Sequence, residues 1–407
     1  MRSHRNILLL WVGQVISQAG DSIYQIAVIW LLLQMTGRGT ITGIGAMSAY
    51  LPVLIFGIMG GIISDIFDRR KVMIFADGVR AVLVLTIPLL WFTGNLTPFY
   101  LMLITFLTGC FATIFNPARD SIVPDIAPEG KLELANSLIQ TSWQLAMFIG
   151  PAFAGLLIPI TGIYHLFEVD SLTFLISLIC ILFISSGAGK ISVPFTRDIN
   201  HTKTKAKFIW QLKDGISYTW KDRRLRFLMT ITFFYNLLLM GIPLVATPIF
   251  VKKVLDNRPE TFAWLQAVYA GGMLVGAPLA VYLSKKVKKG SLLLIGIILD
   301  GLSFCPLAIV SSNATAFFLM WLHSIVIPII VVPRTTLLQQ IVPRNLWGRV
   351  FAILSVAVTG SSSLSSIIVG AACDFMDVRM VIVLFGCLSA GTGVIGFLLP
   401  DLRKSDG

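Results

Sequence analysis

Twelve runs of about twenty apolar residues dominate this chain, and that is the length a helix needs to cross the hydrocarbon core of a bilayer. They fall near 7–34, 41–63, 73–93, 98–117, 134–160, 163–186, 227–251, 261–284, 290–311, 314–333, 347–372 and 379–399. Lipid offers no hydrogen-bond partners, so each run is expected to be a helix that satisfies its own backbone; a barrel would show short alternating strands instead. Of 407 residues, 56% are hydrophobic and 13% charged, far below the quarter or so of charged residues that covers a soluble domain. The first run is too long for a signal-peptide core and lacks a small-residue cleavage site, so it is expected to be the first span.

The placement of charge sets the topology. Net charge is +12, but the basic residues lie almost entirely between the runs, which argues against nucleic acid and for orientation by the bilayer. Of 32 Lys and Arg, 26 fall on the side of the termini, five (Arg38, Lys252, Lys253, Arg258, Arg379) fall in the opposite connections, and Arg80 lies within the third run. Positive residues favour the cytoplasm, so the expectation is a multi-pass cell-membrane protein with both termini cytoplasmic. Five cysteines, Cys110, Cys180, Cys305, Cys373 and Cys387, show no paired spacing and are read as buried, reduced side chains.

One long polar stretch, 187–226, divides the chain into six-span halves at 1–186 and 227–407. Its lysines offer either a patch for anionic membrane lipids or a solvated connector. The halves echo each other. PARDSIVPDIAPEGKLELAN from Pro117 and PRTTLLQQIVPRNLWGRVF from Pro333 align Arg119 with Arg334, and the loop at Asp65 to Lys71 aligns with SKKVKKG at 284–290. A parallel internal duplication places a transport site between repeats. The fold class expected is an all-α membrane protein of twelve transmembrane helices in two six-helix bundles around a central cavity.

The loop after the second run reads GGIISDIFDRRKV, Gly60 to Val72. It resembles the signature cytoplasmic loop of the major facilitator superfamily at Gly61, Asp65, Arg69, Arg70 and Lys71, and departs from it at Ile66 and Asp68. The opening WVGQVISQAGDSIYQIAVIWLLLQMTG, NPARDSIVPDIAPEGKLELANS and FEVDSLTFLIS resemble the macrolide-efflux and enterobactin-exporter branch. The resemblance implies the major facilitator fold, a protein that works as a monomer, and a gate in which Gly61 lets two helices approach and Asp65 caps a helix or pairs with a base. Gly150, Pro151 and Gly155 in AMFIGPAFAG resemble the element found in antiporters of the superfamily; proline removes a helical hydrogen bond and the glycines allow close packing.

Charge within lipid costs at least about 2.5–3.5 kcal/mol at a helix centre, so each buried acid needs a reason. Asp21 lies halfway along the first run, and Gln14, Ser17, Gln18, Tyr24 and Gln25 share its three- and four-residue spacing as one polar stripe. Asp21 is therefore the leading residue for proton coupling or substrate contact, against a purely structural hydrogen bond. Asp77 and Arg80, near the cytoplasmic end of the third run, are expected to pair along their helix beside the gate. Glu168, Asp170 and Asp300 fall in runs that the resemblance places at the periphery. His323 is a candidate proton carrier or a packing histidine. Gln140, Trp143 and Gln144 in the fifth run and Tyr235 and Asn236 in the seventh offer the aromatic and amide lining that suits amphipathic ligands.

No phosphate-cradling GxxxxGK[ST] loop, metal-ligand cluster or nucleophile elbow occurs, so neither ATP coupling, a cofactor nor enzymatic chemistry is expected. The leading expectation is a secondary exporter trading inward protons for a small organic substrate such as a drug, macrolide or siderophore-like metabolite. An importer or lipid-moving relative on the same fold, and a non-transporting membrane receptor, are the alternatives.

Overall fold

A computed structural model of the chain describes residues 2–128, 130–184, 216–403 and 405. Twelve helices long and apolar enough to cross a membrane occur among them. The first six are α1 (Arg2–Thr36), α2 (Gly39–Ile66), α3 (Arg69–Phe92), α4 (Pro98–Ile126), α5 (Leu132–Thr161) and α6 (His165–Leu182). The remainder are α7 (Arg223–Lys253), α8 (Pro259–Ser284), α9 (Lys289–Ile309), α10 (Asn313–Ile341), α11 (Trp347–Phe375) and α12 (Val378–Phe397). No strand is present among the described residues. The 187–226 connection lies outside the described residues as far as 215.

Short polar caps set where helices begin. Asp68 accepts from the Lys71 amide to start α3, Thr97 from the Tyr100 amide to start α4, and Asp377 from the Arg379 amide to start α12; each satisfies an amide that has no intrahelical partner. Large apolar side chains such as Phe75, Val82, Leu89 and Phe92 stand exposed along α3, as a lipid-facing stripe should.

The chain packs as two units. One takes α1 to α6 with Val251–Ala267; the other takes the described part of 194–250 and the chain from Val268 onward. In the first, Leu10, Met73, Phe115 and Ile122 centre a fully buried apolar cluster. In the second, α9 and α12 cross at Gly301 and Gly386, where a Cβ on either would lie 2.5 to 2.6 Å from the other's carbonyl oxygen.

Several expectations change. Helices α4 and α10 run past Pro117 and Pro333 to Ile126 and Ile341, so Arg119 and Arg334 sit on helical turns rather than in loops; a proline forfeits one hydrogen bond but does not end a helix whose neighbours pack against it. The close approach expected at Gly61 is made by Gly60. A Cβ at 60 would strike the Thr113 carbonyl, which Pro117 cannot bond, whereas one at 61 would meet nothing within 4 Å. Helix α7 is interrupted by a π-helical turn at Ile242–Ala246 containing Pro243. Of the cysteines only Cys373 is buried; Cys387 is exposed, and its Sγ lies 3.7 Å from that of Cys305.

Candidate translocation site

A cavity of about 520 Å³ opens within the first unit, walled by α1, α3, α4 and α5. Helix α1 contributes Gln14, Ser17, Gln18 and Asp21, one turn apart on a single face. Helix α4 adds Asn116, Arg119 and Asp120, and α5 adds Asn136, Gln140 and Trp143, the last 51% exposed. The wall thus offers carboxamides for hydroxyl and carbonyl groups, an indole face, and charge of both signs. A second hollow, of about 470 Å³ beside Met376 and Met380, is almost wholly apolar, with Arg379 the one charged residue on its wall.

The carboxamides are held in register by one another. Ser142 donates to Gln18 Oε1 at 2.9 Å, Gln18 Nε2 to Gln14 Oε1 at 3.2 Å, and Arg119 Nη1 reaches the same Gln14 oxygen at 3.2 Å. Arg119 also pairs with Asp120 at 2.8 Å. One chain of hydrogen bonds therefore ties α5 to α1 and α1 to α4 across the cavity wall.

Arg80 lies at the back of the cavity, halfway along α3 rather than near its cytoplasmic end. Its Nη2 donates to Asp21 Oδ1 at 2.5 Å, its Nη1 lies 3.5 Å from Asp77 Oδ1, and its Cζ sits 3.9 Å from the centroid of Phe174 on α6. Asp77 is fully buried and neither carboxylate oxygen has a hydrogen-bond partner. Asp21, by contrast, keeps 39% of its side chain exposed. Asp170, on a helix the resemblance placed at the periphery, is buried against α1 where Gly20 leaves room for its carboxylate. Three acids therefore converge on one guanidinium, which can neutralise only one of them at a time.

Other residues of interest fall elsewhere. The Tyr24 hydroxyl is taken up by Thr105 at 2.8 Å and Gln25 reaches the Tyr50 hydroxyl at 3.4 Å, so only the first part of the α1 stripe lines the cavity. Gln144 is exposed but not on its wall. At Gly150 a Cβ would fall 2.6 Å from the Ala19 carbonyl oxygen, and Pro151 is buried beside it; α5 lies flush on α1 one turn from Asp21. Gly155 accommodates the Trp264 ring.

Of the loop motif, Arg69 pairs with Asp125 at 2.8 Å and Arg70 donates to the Ile181 and Leu182 carbonyls at the end of α6. The backbone amide of Lys71 receives the Asp68 cap, and the Asp65 side chain lies outside the described residues. In the second unit, Tyr235, Asn236 and His323 are closed off from solvent, so they do not form an open lining. Asn236 donates to the Thr232 carbonyl at 2.7 Å, while Tyr235 and His323 meet Asp300. Asn116, Asp120, Asn136 and Ser142 were not singled out from sequence; their amides and hydroxyl lie on faces that only the packing defines.

The sequence matches the profile of the transmembrane secretion effector family over residues 3–406. The chain belongs to that family. It is a multi-pass membrane transporter of the major facilitator superfamily, as the loop motif led one to expect. Macrolide efflux protein A of Streptococcus pyogenes is 22% identical over 98% of this chain and 96% of its own length. Multidrug efflux pump Tap of Mycobacterium tuberculosis (strain ATCC 25618 / H37Rv) is 25% identical over 98% and 94%. Among solved structures, a POT family transporter in complex with a thioalcohol-conjugated peptide superposes with TM-score 0.76 over 97% of this chain and 96% of its own, at 12% identity, a likeness of fold alone.

Proposed function

We propose that this transporter is a proton-coupled exporter of amphipathic small organic molecules, such as drugs, macrolides or siderophore-like metabolites, working as a monomer by alternating access with both termini in the cytoplasm. Two relatives named for efflux support the direction and the substrate class. The observation that carries the coupling is the position of Asp21, which is at once part of the cavity wall and the partner of Arg80 at 2.5 Å.

A proton or a cationic substrate on Asp21 releases Arg80, which has Asp77 3.5 Å away as an alternative partner. Proton and substrate then compete for one carboxylate, the exclusion that antiport requires. Gln14, Gln18, Gln140 and Trp143 orient the substrate. We assign the two bundles to 1–186 and 227–407 with 187–226 as the cytoplasmic connector, and the gate to the Gly61–Lys71 loop with Arg119 and Arg334, while Gly150, Pro151 and Gly155 mark where α5 bends.

Proton-driven accumulation of a dye or macrolide inside everted vesicles tests the reading, with Asp21→Asn beside the native protein. The expected result is loss of gradient-driven transport with substrate exchange retained. Unchanged pH-dependent transport in Asp21→Asn removes the coupling assignment, and uptake that follows protons inward across native membranes makes the protein an importer.

A further inference from the structure

The second unit contains a group of titratable side chains for which the antiport scheme has no use. Asp300 on α9 is fully buried. Its Oδ2 accepts a hydrogen bond from the Tyr235 hydroxyl on α7 at 2.7 Å, and its Oδ1, with no hydrogen-bond partner, lies 3.5 Å from His323 Nδ1 on α10.

Ser303 joins the acid to the imidazole. Its Oγ lies 2.7 Å from the Asp300 carbonyl oxygen and 2.7 Å from His323 Nδ1. A hydroxyl has one hydrogen; with that hydrogen on the carbonyl, Ser303 accepts from the ring and Nδ1 carries a hydrogen that also faces Asp300 Oδ1. Phe304, with its centroid 3.9 Å from that of the imidazole, and Tyr269 on α8, at 6.0 Å, close the sides.

The surrounding charge is sparse. Along α10 the cation whose field reaches Tyr235 is Arg334. Helix α12 meets α9 here through Gly386 and Ala390, and carries next to Gly386 the Cys387 thiol that faces Cys305. Helix α11 meets α7 through Ser365, which accepts from the Gly241 amide at 2.7 Å. The acid and the imidazole must therefore settle their charge between themselves. With one proton shared the pair is neutral, as acid and imidazole or as carboxylate and imidazolium. Without it, a bare carboxylate is left in the interior, which is tolerable only when water enters.

We propose that Asp300 and His323 form a second proton-binding centre, so that each cycle moves two protons, one on Asp21 and one on this pair. The pair keeps its proton while α7, α9 and α10 are closed around it and loses it to water when they part. The interrupted helix α7, with its π-helical turn two turns beyond Tyr235, is the element able to open, since such turns let one part of a helix shift against the other.

The count of two rests on the proton-coupled reading above; the binding of the proton does not, and two measurements separate them. In proteoliposomes, the proton-to-substrate ratio taken from the gradient that just stops efflux is expected to fall from two to one in Asp300→Asn. A ratio unchanged by the substitution overturns the proposal. Infrared difference spectra of the purified native protein across the pH range in which histidine titrates need neither substrate nor transport. They are expected to show a protonated-carboxyl C=O band that titrates together with an imidazole band, shifts in Tyr235→Phe, disappears in Asp300→Asn and survives in Asp21→Asn. Absence of that band, or its titration unaltered in His323→Gln, overturns the proposal. A purely structural Asp300 lowers thermal stability when replaced and moves neither the ratio nor the spectrum. Failure of the antiport reading alone shows as lack of gradient-driven efflux with the band intact.

Discussion

Replacing Arg80 by Met keeps an unbranched chain in the back wall of the cavity while removing the cation. Three contacts go with it: the 2.5 Å bond to Asp21, the 3.5 Å pairing with Asp77 and the stacking 3.9 Å over Phe174. The Asp21 arm is 39% exposed, and water screens it to about 1 kcal/mol or less. The stacking is worth about 2 kcal/mol when desolvated, partly recovered by sulfur against the ring. Asp77 decides the outcome, because it is fully buried with only the Ser177 hydroxyl beside it to fall back on, and removing one partner of such a pair costs about 3–5 kcal/mol. Thermal unfolding in mild detergent should show Arg80→Met strongly destabilised. Adding Asp77→Asn should restore most of the loss, and adding Asp21→Asn about 1 kcal/mol at most. Equal rescue by the two, or none by Asp77→Asn, refutes the claim that the buried Asp77 depends on the Arg80 charge more than the part-exposed Asp21 does.

Gly60→Ala and Gly61→Ala should separate cleanly: the first forces α2 off the Thr113 carbonyl and costs about 1–3 kcal/mol, while the second, with open space, stays within about 0.5 kcal/mol of native on the same thermal assay. Gly150→Val should lower both stability and transport, since its Cβ would press on Ala19 and Ser22, which flank Asp21; native transport in that variant contradicts the packing argument. Copper-phenanthroline should join Cys305 to Cys387, whose Sγ atoms lie 3.7 Å apart and need move only about 1.7 Å to reach disulfide length, read as linked tryptic fragments without reductant. Reporter fusions to each terminus should both be active only in the cytoplasm; opposite reports overturn the topology drawn from 26 positive residues against five.

The sequence made the spans legible because lipid imposes the same demand on each: twenty or so apolar residues with every backbone group bonded inside. Asp21 was legible for the same reason, as a charge where none is tolerated without cause. Its partner was not. Arg80 lies 59 residues away, and whether α3 turns that face toward α1 depends on rotations that no spacing rule sets. The choice between Gly60 and Gly61 failed likewise, since neighbours on a helix point about 100° apart and only the free Thr113 carbonyl selects one. Arg119 and Arg334 were read as loop residues because the apolar runs end at Pro117 and Pro333, yet in a packed bundle proline bends a helix without ending it. The turn inside α7 did have a signal, Gly241 two residues before Pro243, lost within a run whose hydropathy never drops.

The contact between Gly301 and Gly386 bears on what can travel and what must stay. With no side chain between them, α9 and α12 mesh backbone to backbone, so neither can slide or roll without lifting off the other. They behave as a single strut, and Asp300, one residue from that junction, is bolted to it. Any change in the surroundings of its carboxyl must then come from Tyr235 or His323 swinging away, so the fixed acid acts as the anvil against which the mobile helices work.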